Sequence, residues 1–234
     1  MKRVGFLLVA LFFISAIYAQ RSVTWVSIGL KGGYGSSMLL NANALADENI
    51  DMQYYNPSYM VGGKLAFFVN DNMGLSLEGL YGTFGQQLTI TDASNTWSKN
   101  LAFSAWNIDV LLKMRGNTGF YLEVGPQFTN LISATNNAAS IMDNVNKATV
   151  AAVLGVGLTP VFTKKVEISI GLRATYGLGS ITIPEYDIFR ESPNSLAYDS
   201  FANPVTLVPM VDFSYVFGYM GRASCGKFKF IFNK

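Results

Sequence analysis

Histidine is absent from this sequence of 234 residues, and its absence removes several classes of enzyme. The chain has no Ser-His-Asp or Cys-His catalytic centre and no histidine ligand for a metal ion. Paired carboxylates are able to act as acid and base, but none stands in a recognisable arrangement. The glycines of 32–35 lack the Lys-Ser/Thr ending of a phosphate-binding loop. The sequence therefore predicts a protein that is not an enzyme, with no catalytic residue, no metal ligand and no cofactor.

Cysteine occurs once, as Cys225, so the chain forms no internal disulfide. A lipid anchor requires a cysteine at the cleavage point of the export signal, and Cys225 lies near the other end. We therefore expect a protein that is not a lipoprotein, and we interpret Cys225 as an incidental residue of the C-terminal tail.

Long apolar runs are also missing, apart from one at the start. Lys2 and Arg3 precede an apolar run over 4–16, and Ala19 stands just before Gln20. The run is shorter than the roughly 20 residues of a membrane-spanning helix, which indicates a cleaved signal peptide over 1–19 and export through the inner membrane. Removing Lys2 and Arg3 from the 17 basic residues leaves 15, equal to the 15 acidic residues, so no nucleic-acid partner is expected.

Alternation of apolar with polar or small residues is the main pattern that remains. In 166–178 it continues without a break, about twice as long as an ordinary strand and long enough to cross lipid. Weaker copies occur in seven other segments. The eight predicted strands are 23–35, 58–69, 73–91, 99–114, 119–130, 148–162, 166–178 and 204–218.

The connections also alternate in length, as they do in outer-membrane barrels. Three joins are tight and the segments between them are long. The tight joins are 70–72, 115–118 and 163–165; the long segments are 36–57, 92–98, 131–147 and 180–203. Because an open sheet in hydrocarbon would leave backbone groups unpaired, we predict an all-β fold, a transmembrane antiparallel up-and-down barrel. The barrel domain is placed at 20–218, with both ends periplasmic and a periplasmic tail at 219–234.

Charged residues fall on the face opposite the apolar one, so they are predicted to fill the lumen. The set comprises Lys31, Lys64, Glu78, Asp109, Lys113, Glu123, Glu167, Arg173 and Asp212. The tight join at 70–72 sets Lys64 opposite Glu78, which predicts a cross-strand ion pair. An eight-stranded barrel has room for little besides side chains, so a polar plug is favoured, with a proton or ion path as the alternative.

Aromatic residues have two predicted places. Those on the apolar phase or near strand ends are expected to form girdles at the two membrane interfaces. They are Trp25, Tyr34, Tyr59, Tyr81, Phe120, Phe128, Tyr176, Tyr215 and Phe217. Aromatic and charged loop residues are candidates for binding a ligand at the cell surface. They are Tyr54, Tyr55, Tyr186, Phe189, Arg190 and Tyr198.

Four segments together resemble the PorT-like family of outer-membrane β-barrels. They are the glycine-rich strand 28–34, the "L-x-x-E-L-x-Y" type strand in 75–82, the "Y-x-E-x-G-P" type strand in 120–126 and the "L-x-x-R-Y-x-x-G-L" type strand in 170–179. The family usually ends at the aromatic residue of its last strand, whereas this chain continues past Phe217. Lys227–Phe230 alternates like a short strand, either a tail that docks on a partner or the true closing strand.

The resemblance implies a non-enzymatic component of the bacterial outer membrane, and some family members belong to the type IX secretion and gliding apparatus. We therefore expect a scaffold or accessory subunit whose partners are outer-membrane lipid and other outer-membrane or periplasmic proteins. A small porin or channel, and an adhesin-like barrel that binds through its loops, are the alternatives.

Overall fold

A computed structural model describes residues 24–69, 72–92, 95–163, 165–183, 202–222 and 228–231. The predicted signal peptide and Cys225 lie outside these ranges. The strands are β1 (Thr24–Leu40), β2 (Ile50–Met52), β3 (Asn56–Phe68), β4 (Met73–Asp92), β5 (Asn95–Arg115), β6 (Phe120–Asn136), β7 (Ala139–Ser140), β8 (Ala148–Phe162), β9 (Val166–Gly177), β10 (Asn203–Arg222) and β11 (Phe228–Ile231). One short helix, α1 (Ala42–Ala46), and a 3₁₀ turn at Met142–Asn144 lie between strands. No helix in this described part of the chain has the length and apolar character needed to cross a membrane.

Eight of these strands form a closed antiparallel barrel. The order is β1, β3, β4, β5, β6, β8, β9, β10, and each strand pairs with the next along the chain. Closure comes from β1 and β10, which pair antiparallel from Thr24 opposite Met220 to Leu40 opposite Asn203. The predicted all-β, up-and-down architecture of eight strands is confirmed.

The short strands extend this wall at its two ends. At the loop end, β2 pairs with β4 and β7 pairs with β6. At the opposite end, β10 continues four residues beyond the predicted limit at Gly218, and β11 pairs with this extension. Since β10 already pairs with β1 there, β11 is an addition to the sheet and not the closing strand.

Strands β1, β5 and β6, like β10, extend well beyond the limits that the sequence pattern predicts. Strand β1 continues to Leu40 and β6 to Asn136, so both adjoining loops are shorter than expected. The predicted long connection at 92–98 is wrong, because Asp92 pairs with Asn95 and β4 and β5 form one continuous hairpin.

The reason is an inversion of the alternating pattern along β5. From Trp106 toward Arg115 the outward residues are apolar and the inward ones are mostly polar, for example Ile108 outward and Asp109 inward. From Ala105 toward Asn95 the outward residues are polar or small, whereas Leu101 and Phe103 point inward and are buried. Water replaces lipid outside the barrel at this level, so the outward residues of a strand are polar here. This polar face made the segment resemble a loop in the sequence.

Aromatic rings lie at the level of the inversion. Tyr34 pairs with Tyr59 across β1 and β3, and Tyr81 pairs with Trp106 across β4 and β5. Ring centroids are 6.2 Å apart between Tyr59 and Tyr81, and 5.6 Å apart between Tyr81 and Trp106. Such a row is typical of an outer-membrane barrel at its interface with water.

The prediction that Trp25 belongs to a lipid-facing girdle is wrong. Trp25 is buried and stacks on Phe68 with ring centroids 3.9 Å apart. Trp25 has the same inward phase on β1 as Ser27 and Lys31, and its register partner on β3, Phe68, is buried as well. The side chain of Phe217 lies outside the described part of the structure.

Adjacent glycines in β3 provide a test of the wall packing. A Cβ atom added to Gly62 would lie 2.0 Å from the carbonyl oxygen of Gly79, whereas one added to Gly63 meets only the Gly29 oxygen, at 3.7 Å. We expect Gly62→Ala to lower the free energy of unfolding by about 1–3 kcal/mol through overpacking. Gly63→Ala should leave it unchanged or raise it by up to about 1 kcal/mol.

Guanidinium unfolding in phospholipid vesicles measures both variants. Equal losses of stability at the two neighbouring positions would contradict this packing.

Candidate functional site

Charged side chains fill the centre of the lumen. All nine predicted lumen residues are buried there, and the structure adds a tenth, Arg115, which the sequence analysis placed in a turn. Arg115 shares the inward phase of Asp109 and Lys113 on β5, and extending that phase by one more step would have found it. With Arg115 the cluster holds five basic and five acidic groups and is formally neutral. We call these ten residues the lumen network.

Arg173 is the centre of one half of the lumen network. Its Nη1 donates to Asp109 Oδ2 at 2.8 Å, and its Nη2 donates to Glu78 Oε2 at 2.8 Å and to Glu123 Oε2 at 2.7 Å. Lys31 Nζ also donates to Glu78 Oε1, at 3.0 Å, and to Glu123 Oε2, at 2.8 Å. Two cations thus hold three carboxylates contributed by three strands, so this half tethers the barrel across its lumen.

The Arg173 half has one more negative than positive charge, and the other half of the lumen network has one more positive charge. Lys113 Nζ donates to Glu167 Oε1 at 3.0 Å and lies 4.0 Å from Asp212 Oδ2. Arg115 Nη2 donates to the same Glu167 oxygen at 2.5 Å, and Lys64 pairs with Asp212. Three cations and two carboxylates here balance the Arg173 half, and no charge in the lumen network lacks an ionic partner.

The predicted ion pair between Lys64 and Glu78 is wrong, although the two residues do stand opposite each other in the register. Lys64 instead reaches Asp212 on β10, and Glu78 binds Lys31 and Arg173. In so narrow a barrel the long side chains extend into the lumen, where residues from non-adjacent strands are as close as a cross-strand neighbour.

Apolar side chains close the lumen at the loop end. Phe84 and Phe103 stack with ring centroids 5.1 Å apart, in a buried cluster to which the neighbouring wall strands also contribute. Helix α1 and strand β2, which lie between β1 and β3 in the chain, cover this cluster with Ala44, Ile50 and Met52. We call this cluster the outer apolar core.

An aromatic cluster with one cation lies at the opposite end of the lumen. The Arg115 guanidinium is 4.4 Å from the centroid of the Phe162 ring, 5.3 Å from that of Phe68 and 5.6 Å from that of Trp25. These distances allow cation–π attraction, so Arg115 links the lumen network to this end of the barrel.

The filled lumen leaves little room for a ligand. One cavity between the lumen network and the outer apolar core measures only about 20 Å³, the size of a single water molecule. Among the described residues, no group of three or more acidic, cysteine or histidine side chains is arranged to hold a metal ion.

The candidate loop residues fall into two groups. Tyr54 and Tyr55, between β2 and β3, are exposed over 77% and 60% of their surfaces. Tyr186, Phe189, Arg190 and Tyr198 lie outside the described residues.

Removing Arg173 tests whether the lumen network holds the barrel together. We expect Arg173→Met to lower the free energy of unfolding by about 3–5 kcal/mol, because Glu78, Asp109 and Glu123 are then left with one cation. Adding Glu123→Gln restores the formal charge of this half and should recover a large part of the loss.

Guanidinium unfolding in vesicles is again the measurement, with Lys147→Gln, the loss of an exposed positive charge, as the control. If Arg173→Met unfolded at the same denaturant concentration as Lys147→Gln, the lumen network would have no structural role.

Comparison with known proteins gives the family. The model of the outer membrane protein beta-barrel domain matches residues 18–182. No curated protein matches the sequence. The narrower PorT-like assignment stays a prediction.

Among solved structures, the attachment invasion locus protein Ail of Yersinia pestis is 10% identical with a TM-score of 0.41, covering 80% of this chain and 97% of its own. The outer membrane protein OprG of Pseudomonas aeruginosa is 13% identical with a TM-score of 0.44, covering 85% of this chain and 98% of its own. The outer membrane protease OmpT of Escherichia coli is 8% identical with a TM-score of 0.35, covering 85% of this chain and 98% of its own. These likenesses carry no argument about function. The match to the domain model shows that this chain belongs to the outer membrane protein beta-barrel domain family, and it is a barrel of the bacterial outer membrane.

Proposed function

We propose that this protein is a non-conducting, non-enzymatic scaffold or accessory subunit of a larger outer-membrane assembly. The observation that supports this proposal is the filled lumen. A neutral network of ten charged side chains occupies its centre, with the outer apolar core at one end and an aromatic cluster at the other. A porin requires an open path of polar surface, and this arrangement offers none.

The outer part of the barrel provides a surface to which partner proteins are able to bind. Strands β4 and β5 have 20 and 21 residues, whereas about 9–11 residues are enough to cross the hydrocarbon. The surplus of roughly 10 residues, at a rise of about 3.3 Å each, corresponds to about 30 Å of strand outside the lipid. Because the outer apolar core packs beneath it, this hairpin is a folded projection with a polar outer face.

The sequence resemblance to the PorT-like family makes the type IX secretion machinery the first assembly to test. The extension of β10 and its pairing with β11 provide a second region for contact, at the periplasmic end. There the tail adds backbone hydrogen-bonding groups to the sheet, which a partner strand is able to use. Absence of histidine supports the non-enzymatic part of the proposal.

An adhesin-like role is the second candidate, and one observation favours it. Tyr54 and Tyr55 are strongly exposed on the connection beside the projecting hairpin, where Gln53 N donates to Gln87 O of β4. Exposed tyrosines supply a large contact area at low cost in conformational entropy. Such a surface suits a ligand outside the cell as well as a partner within the membrane.

Conductance tests the closed lumen. In a planar bilayer, the purified protein should show no steady openings, because the lumen network and the two closed ends leave no water path. Protease protection and heat-modified mobility in gels verify insertion in the same preparation. Steady openings that change when Glu123 is replaced by Gln would establish a channel and contradict the proposal.

Co-purification tests the scaffold role. Tagged protein extracted from outer membranes in mild detergent should bring down other envelope proteins in stoichiometric amounts, identified by mass spectrometry. Tyr54→Ala with Tyr55→Ala should reduce this recovery at least several-fold if the loop makes the contact, whereas the lipid-facing control Tyr215→Ala should not. Recovery of the barrel alone, at monomer size, would contradict the scaffold proposal.

A further inference from the structure

A layer of uncharged polar side chains lies between the lumen network and the outer apolar core. On β5 and β6, Asn107, Gln127 and Thr129 form a closed triad. Gln127 Nε2 donates to Asn107 Oδ1 at 3.1 Å and to Thr129 Oγ1 at 3.0 Å, and Thr129 Oγ1 donates to Asn107 Oδ1 at 2.8 Å. Both N–H groups of the Gln127 amide are thus used, which fixes the amide orientation and leaves its oxygen as an acceptor.

Three polar atoms in this layer have no hydrogen-bond partner within the protein. They are Gln127 Oε1, Thr175 Oγ1 and Thr206 Oγ1. Thr175 and Thr206 stand opposite each other on β9 and β10, and all three side chains are more than nine-tenths buried. All three residues line the same cavity of about 20 Å³. Unpaired polar atoms are rare in protein interiors, and three around one cavity point to a shared ligand.

We propose that this cavity is a binding site for one water molecule. The two threonine hydroxyls donate to the water oxygen, and the water donates to Gln127 Oε1. Three hydrogen bonds are typical of a buried water, and the cavity is slightly larger than the minimum of about 10–15 Å³ that a water requires. One water molecule thus provides hydrogen-bond partners for both threonine hydroxyls and for the Gln127 oxygen.

The chemistry of the lining excludes the other small ligands. A calcium ion requires six to eight oxygen ligands, usually with carboxylates among them, and the residues that line this cavity are all uncharged. An anion requires donors or positive charge, and Gln127 Oε1 is an acceptor. Met60, Phe84, Ala151 and Pro204 supply apolar parts of the wall, and the volume of about 20 Å³ limits the site to a single water.

The water site does not depend on the proposed function. It holds one trapped water between the charged layer and the apolar layer. A conducting barrel would overturn the scaffold proposal, whereas only the contents of this cavity decide the water site.

A crystal structure of the full chain at a resolution that shows ordered water is the first experiment. We expect one peak within hydrogen-bond distance of Gln127 Oε1, Thr175 Oγ1 and Thr206 Oγ1. The double variant Thr175→Val with Thr206→Val keeps the side-chain shape, removes both donors and should lose the peak. Thr159→Val is the matched control, because the Thr159 hydroxyl bonds directly to Ser169 at 3.0 Å, and it should retain the peak.

A solution measurement covers the case in which a variant fails to crystallise or fold. In the unmodified protein with labelled threonine methyl groups, nuclear Overhauser contacts from a bound water should reach the methyls of both Thr175 and Thr206. An empty cavity with the hydroxyls bonded to each other or to Gln127 would overturn the proposal. So would a peak coordinated by six oxygens at metal-ligand distances, which would assign the site to a cation.

Discussion

Pairing of every backbone N–H and C=O group within the chain is the constraint on which this structure depends. Hydrocarbon offers no hydrogen-bond partners, so a membrane-spanning sheet must close on itself. Closure here is the pairing of β1 with β10 along almost their whole length. With eight strands, that closure also sets the lumen width, which is enough for side chains and little else.

The narrow lumen in turn dictates how charge is arranged inside it. Each buried charge needs a partner, because an isolated one would carry a large desolvation cost. The lumen network satisfies this requirement collectively, since neither half is neutral alone and Arg173 by itself contacts three carboxylates. A lumen held by such contacts ties the wall strands together from inside, and this suits a rigid membrane anchor better than a pore.

Outside the lipid, strands β4 and β5 turn their apolar side chains inward and their polar side chains toward water. Along β5 the apolar face changes from outward to inward between Trp106 and Ala105, where water replaces lipid around the barrel. The outer apolar core then resembles that of a soluble protein, with α1 and β2 packed over it. One pair of strands therefore acts as membrane wall at one end and as a folded projection at the other.

The alternation in the sequence by itself determined the strand number, the hairpin order and the inward phase that carries Arg173, Glu123 and Asp212. It did so because successive side chains of a strand point to opposite faces, and lipid requires one of these two faces to be apolar. Only the tertiary structure decided the partners of those charges, as Lys64 shows by pairing with Asp212 instead of Glu78, since side-chain reach across the lumen is not encoded in cross-strand register. It also decided the length of the β4–β5 hairpin, because its polar outer face is typical of a loop unless the surrounding solvent is known to be water.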